Sequence, residues 1–135
     1  MLTKSNWNEA KEILDNNSTM SSWGMCGGIQ SFTYLSFKGL KELVDKKLIS
    51  LGERQNYSPT VKQWIKLVEE NNLQDILFFH GYIVEADRND RRVSLEGAQA
   101  KGGRELFTEA QWKSLMKISR GADEFSKDPF RVWWD

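Results

Sequence analysis

The chain has 135 residues, and its hydrophobic (39%) and charged (28%) fractions are those of ordinary globular proteins rather than of disordered chains. We therefore expect a single globular domain over residues 1–135, large enough to bury a core without a disulfide or a structural metal. Lys plus Arg equals Asp plus Glu at 19 each, so the formal net charge is zero. This balance disfavours nucleic acid as a partner, because duplex binders gain much of their affinity by neutralising phosphates.

The cysteine count and the hydropathy pattern point to a cytoplasmic protein that does not enter a membrane. Cys26 is the single cysteine, so no intrachain disulfide can form. The N-terminus lacks the apolar run of a signal peptide, and the longest apolar stretch, 76–79, is far shorter than a membrane-spanning helix. The neutral surface leaves a homodimer open, and we expect no cofactor.

The N-terminal third of the chain predicts one helix and leaves the next element undecided. Apolar spacing predicts a helix over about 6–15, capped by Ser5, followed by an irregular stretch through Gly28. The segment 29–35 has the aromatic and β-branched content of a strand, but it could equally form the first turns of a helix that begins near Gly27. A helical stripe follows from Phe37, with Ser36 as a cap.

The middle of the chain predicts a helix followed by a β-hairpin. Pro59 at a first helical position and Ser58 as its cap predict a helix from Pro59 to about residue 71. Residues 76–86 alternate as a strand with apolar residues on both faces, and 91–96 return antiparallel after a polar turn.

The C-terminal part predicts one more helix and one more strand. Thr108 and Gln111 form a capping box before a helix over about 109–119, and the alternating segment 130–134 should pair beside the hairpin. The predicted fold is therefore α+β: a small, mostly antiparallel sheet packed by three or four helices in a single pair of layers.

A catalytic hypothesis rests on Cys26. If a helix began near Gly27, its N-terminus would stabilise the Cys26 thiolate, and His80, the single histidine, would be the base, with Asp87 or Asp90 orienting it. This order resembles that of papain-like enzymes, which place a cysteine at the start of a helix and a histidine on a later strand. The resemblance implies a cysteine hydrolase, and it is confined to the loop around the cysteine.

Each of these residues also has a non-catalytic interpretation. Cys26 can be an inert small residue, since free cysteines need no function. His80 lies among aromatic residues and can be a half-buried side chain that donates to a backbone carbonyl. The aspartates belong to a turn whose mixed charges can neutralise one another in water. One histidine and one cysteine without zinc-type spacing predict no metal site.

A binding hypothesis rests on the six tryptophans, an unusually large number for this length. Trp133 and Trp134 are adjacent in a strand, so they must point to opposite faces of the sheet. One of them therefore needs a second layer, a partner or solvent. The leading functional hypothesis is a non-catalytic module that contacts another protein or a small ligand through Trp133, Trp134, Tyr82, Arg91 and Arg92. The cysteine hydrolase is the alternative, so the sequence leaves enzymatic activity undecided.

Overall fold

The computed structural model describes residues 2–135 and confirms the α+β class, with four α-helices and a six-stranded antiparallel sheet. The elements are, in chain order, α1 (Trp7–Asn17), β1 (Thr19–Met20), β2 (Ile29–Leu35), α2 (Phe37–Asp45), α3 (Val61–Asn71), β3 (Phe78–Val84), β4 (Val93–Gln99), a short 3-10 helix (Arg104–Leu106), α4 (Glu109–Ile118), β5 (Glu124–Lys127) and β6 (Phe130–Trp133).

The sheet has the strand order β1-β2-β3-β4-β6-β5, and every neighbouring pair is antiparallel. The predicted hairpin forms the pair β3–β4, and the predicted C-terminal strand lies beside it as β6. The edge strands β1 and β5 lie in stretches that carried no strand prediction. Both are short, and all four residues of β5 are exposed, so neither shows the alternation of buried and exposed residues that reveals a strand.

Residues 29–35 form a strand, and the alternative of a helix beginning near Gly27 is wrong. Gly27 and Gly28 both have positive φ angles, +65° and +84°, and they form a two-residue turn. The backbone N–H of Cys26 donates to the carbonyl of Ile29 at 2.9 Å across this turn. Such a Gly-Gly turn matches the twist of a hairpin and directs the chain into a strand.

Two predicted helix caps need correction, and two are confirmed. The first helix is capped at Asn6 rather than Ser5, and α3 begins at Val61 after Thr60. Thr60 forms a capping box with Gln63, whereas the Ser58 hydroxyl accepts a hydrogen bond from the backbone N–H of Gln55. A Thr-x-x-Gln pair satisfies two free N–H groups at once, which explains why the helix begins after it. The predicted caps of α2 and α4, at residues 36 and 108, are present.

The helices cover one face of the sheet and leave the other without a helical layer. Phe79, Ile83 and Val132 point from the sheet into a core that they share with helix residues such as Trp64 and Leu115. Because successive side chains of a strand alternate between faces, the neighbours of these residues point the other way. We call this side of β2, β3, β4, β5 and β6 the open face.

Candidate functional site

The open face carries a group of aromatic side chains that do not belong to the core. Phe78 and Tyr82 lie on β3, Tyr34 lies on β2 and Trp133 lies on β6. All four are half-buried, and none of them packs into the hydrophobic core beneath the sheet. Trp133 is the one of the two adjacent tryptophans that points away from the core, as the alternation along 130–134 required of one of them.

Cationic side chains stack on these rings. The Arg131 guanidinium lies 4.4 Å from the ring centre of Trp133, and that of Arg92 lies 5.8 Å from the ring centre of Tyr82. The Lys101 ammonium lies 5.6 Å from the Tyr34 ring centre. Stacking orients a guanidinium and keeps its donor edge available for hydrogen bonds. The face therefore presents cationic groups that are held against aromatic surface.

A hydrogen-bond network fixes the orientation of Tyr82. Arg92 Nη2 donates to Tyr82 Oη, and Tyr82 Oη donates to Gln55 Oε1, both at 3.2 Å. Beside them, the hydroxyl of Ser94 donates to Glu53 Oε1 at 2.7 Å. Burial raises the pKa of the Glu53 carboxyl, while the hydrogen bonds from Ser94 and from the backbone of residue 95 oppose this rise. The loop between α2 and α3 thus anchors one end of the open face.

His80 lies beneath Trp133 on the open face. It is only 2% exposed, its ring meets the Trp133 ring edge-on at 6.3 Å, and its Nε2 lies 3.0 Å from the carbonyl oxygen of Val132. Since a carbonyl oxygen can only accept, Nε2 is the donor in this bond. Burial, with a smaller contribution from Arg131, lowers the pKa of His80 to about 4.

Glycine at position 97 makes this arrangement fit. Gly97 pairs with both His80 and Trp133, and a β-bulge interrupts the register of β3 and β4 at His80. A Cβ atom at Gly97 would lie 1.9 Å from the Val132 carbonyl oxygen and 2.9 Å from His80 Nε2. Only glycine leaves room for the imidazole and its hydrogen bond.

The charges of the open face nearly balance. Arg92, Lys101 and Arg131 contribute positive charge, and Glu124 shares the face because it pairs directly with Trp133. The Glu96 carboxyl lies near the Trp133 indole, although the buried indole N–H does not meet it in hydrogen-bond geometry. Burial raises the pKa of Glu96, and the nearby indole and Arg131 oppose the rise. The face is therefore amphipathic and of mixed sign.

The structure does not bring the proposed catalytic residues together. Cys26 is exposed in the turn that leads into β2, where Ile29 pairs with Val84. His80 lies four positions before Val84 on β3, so the two residues are separated by roughly 13 Å at about 3.3 Å per residue. Its Nε2 is already bonded to Val132, and no helix begins next to the cysteine. The structure therefore places neither His80 nor a helix N-terminus beside the thiol.

The two aspartates of the catalytic hypothesis lie in the loop between β3 and β4. Asp90 accepts two hydrogen bonds from Arg88, at 2.9 and 2.6 Å, and also contacts Arg92 at 3.3 Å. The hydrogen bond from Arg88 lowers the pKa of the Asp90 carboxyl. Asp87 is exposed at the same loop. This cluster is therefore a turn whose mixed charges neutralise each other. Neither carboxylate meets the imidazole of His80, which is bonded to Val132.

Three of the five predicted contact residues share the open face, namely Tyr82, Arg92 and Trp133. Trp134 points into the core, where it is 2% exposed and packs edge-on against Trp64 at 6.0 Å. Arg91 is turned away from the face. Its Nε donates to the carbonyl of residue 86 at 2.9 Å, so it braces the hairpin loop instead.

Several members of the open face were not among the predicted site residues. Arg131 could have been found, because it lies two positions before Trp133 and must share its face. Phe78 stood on the same predicted strand face as Tyr82. Lys101 and Tyr34 carried no such signal, because their approach depends on how β2, β3 and β4 align.

Within residues 2–135, no group of three or more His, Cys, Asp and Glu side chains is arranged to hold a metal ion. The helices of this described part are also too short or too polar to cross a bilayer. No protein-family model, no curated protein and no solved structure matches this sequence.

Proposed function

We propose that this protein is a non-catalytic interaction module that binds another protein through the open face of its sheet. The observation that carries the proposal is the stacking of Arg131 on Trp133 and of Arg92 on Tyr82, on a sheet face that no helix covers. Tryptophan, tyrosine and arginine are the residues most enriched at the energetic centres of protein interfaces.

The chemistry of the face favours a polypeptide over a nucleic acid. A nucleic-acid surface needs an excess of cations along the path of the phosphates. Here the carboxyls of Glu96 and Glu124 flank Trp133, so a polyanion would meet like charges at the centre of the aromatic group. A protein surface with charges of both signs around an apolar patch is the complementary partner.

The restraint of the aromatic side chains supports the same proposal. Tyr82 is fixed by Arg92 and Gln55, and Trp133 is held between Arg131 and His80. Side chains that are already ordered lose little conformational entropy when a partner binds. A centre of this kind can therefore contribute affinity although its area is small compared with a full interface.

The test is a comparative capture from extracts of the cells that produce the protein. The wild type and the variant Tyr82→Ala/Trp133→Ala are immobilised in parallel, and proteins retained only by the wild type are identified, produced and titrated. We expect each single substitution to raise the dissociation constant of such a partner by about tenfold or more, the loss typical of an interface centre.

Trp23→Ala is the matched control, because Trp23 is 86% exposed and belongs to the loop between β1 and β2 rather than to the aromatic group of the sheet. It should leave the affinity unchanged. Three results would contradict the proposal: no protein depends on Tyr82 and Trp133, Trp23→Ala weakens binding equally, or the open-face substitutions abolish only self-association. The last result would identify the partner as a second copy of the chain.

A further inference from the structure

A groove lies on the helical side of the molecule, between α3, α4 and the loop 54–59. Its volume is about 560 Å³, within the range of about 300–1,000 Å³ that is usual for small-molecule sites. It is a different surface from the open face, since Trp134, which lines it, points to the opposite side of the sheet from Trp133.

The groove concentrates positive charge in a chain whose net charge is zero. Four cationic side chains line it, and one carboxylate opposes them. The cations are Arg54, Lys66, Lys117 and Arg120, and the carboxylate is that of Glu70. Lys66 pairs with Glu70 at 3.8 Å across an exposed helix turn. Among residues 2–135, the other three cations have no ion-pair partner and no side-chain hydrogen bond.

Aromatic and apolar surface accompanies this charge. Tyr57 stands at the rim of the groove and is 89% exposed, so its ring has no packing partner. Leu67, Ile118 and Trp134 supply apolar surface to the lining. An exposed ring beside unpaired cations suits a ligand that combines a planar ring with an anionic group, because bases and similar rings stack on aromatic side chains.

Hydrogen bonds hold the two helical walls of the groove together. Gln111 Nε2 donates to the backbone carbonyl of Asn71 at 2.8 Å, and the Ser114 hydroxyl donates to Asn71 Oδ1 at 3.2 Å. These bonds join the last residue of α3 to α4. The helical walls of the groove, including the backbone that carries Lys117, are therefore fixed relative to each other before any ligand arrives.

We propose that this groove binds a small phosphate ester that carries a planar aromatic ring, the class to which mononucleotides belong. Arg54, Lys117 and Arg120 hold the phosphate, and the ring stacks on Tyr57. Arginine and lysine supply the charge-assisted hydrogen bonds that phosphate oxygens accept. The site is independent of the protein-binding role proposed for the open face.

Isothermal titration calorimetry at low ionic strength tests the proposal, with adenosine monophosphate, adenosine and inorganic phosphate as probes. We expect saturable binding of the monophosphate, and binding about tenfold weaker or worse for each of its two parts alone. Lys117→Glu/Arg120→Glu should weaken the monophosphate by about tenfold or more, and added salt should weaken it further. Tyr57→Ala should weaken the monophosphate and leave the response to inorganic phosphate unchanged.

Lys62→Glu/Lys113→Glu is the matched control, because these exposed lysines lie on the same two helices and outside the groove lining. It changes the net charge by the same amount and should leave binding unchanged. The proposal is overturned if the monophosphate does not saturate the protein, if the control variant loses as much affinity as the groove variant, or if inorganic phosphate binds as tightly as the monophosphate. Binding of the open-face partner is measured separately and is not affected by any of these results.

Discussion

The surroundings of His80 favour its neutral form. Its imidazole is buried beneath Trp133, and its Nε2 donates to the carbonyl of Val132. A charged imidazolium there would lose its hydration and would face the Arg131 guanidinium, which is why its pKa falls to about 4. The residue that the catalytic hypothesis assigns as the base is therefore buried, and its Nε2 is engaged by the Val132 carbonyl.

This environment predicts a pH-dependent stability. Below its ordinary pKa of 6.5, His80 takes up a proton in the unfolded chain, whereas the folded protein resists protonation until about pH 4. The unfolded state therefore binds more protons in this window, and the free energy of unfolding should fall by up to about 3 kcal/mol as the pH drops from 6.5 to 4. Urea unfolding across this pH range measures the loss.

His80→Gln is the reference for that measurement, because an amide can still donate to the Val132 carbonyl but does not titrate. The raised pKa values of Glu53 and Glu96 give slopes of the opposite sign, and both proteins share them. The difference between the two proteins isolates the histidine. Equal slopes in wild type and variant would show that His80 is not protected from protonation.

At the scale of elements, the pair β3–β4 depends on glycines where backbones approach closely. A Cβ atom at Gly81 would lie 1.9 Å from the Ser94 carbonyl oxygen, and one at Gly97 would lie 1.9 Å from that of Val132. Neither backbone oxygen can move without breaking strand pairing. These positions flank the bulge that places His80 and Glu96 under Trp133.

We expect Gly81→Ala and Gly97→Ala each to lower the free energy of unfolding by about 3 kcal/mol or more, through overpacking against the backbone. Gly52→Ala is the matched control, since a Cβ atom there meets nothing within 4 Å and its φ is not positive. It should change stability by less than about 1 kcal/mol. Chemical denaturation measures all three, and equal effects at the three positions would contradict the account.

Among the helices and strands, the sequence could predict the features that depend on neighbouring residues. The caps at Ser36 and Thr108 depend on residues a few positions away, and so both were predictable. The start of α3 was misplaced because Pro59 and Ser58 mimic a helix start, while the stronger Thr60–Gln63 box follows them. The bulge depends on the register between β3 and β4, which local patterns do not encode. The edge strands β1 and β5 are too short or too exposed to show the alternation that marks a strand.

The sequence could predict only part of the candidate site, because the rest also depends on contacts between distant segments. The alternation along 130–134 required that Trp133 and Trp134 diverge, but it could not tell which of them enters the core. Trp134 is buried because α3 places Trp64 against it. Lys101 reaches the ring of Tyr34 only because β2, β3 and β4 align as they do.

At the scale of the whole molecule, β6 joins the last part of the chain to the rest. It lies between β4 and β5, and Phe130 packs edge-on against Phe107 and Trp112 at 6.0 Å each. Deleting residues 129–135 removes β6 and leaves β5 without a partner. We expect the truncated protein to show no cooperative thermal transition in near-ultraviolet circular dichroism. A truncated protein that melts cooperatively at the wild-type temperature would contradict this prediction.

The molecule as a whole is two-sided, with helices and the cationic groove on one side of the sheet and the aromatic open face on the other. The central claim is that the open face is the surface that meets a protein partner. A photo-reactive amino acid placed at an exposed position of each side compares the two directly. Ser31 is exposed on the open face, since it pairs with Tyr82, and Glu69 is exposed on α3.

The deciding measurement is the yield of covalent adduct with the captured partner from each position after irradiation. Position 31 lies beside Tyr82 but is not itself a proposed contact, so modifying it leaves the aromatic group intact. The account predicts an adduct from position 31 and none from position 69. An adduct from position 69 with none from position 31 would place the partner on the helical side and would contradict the central claim.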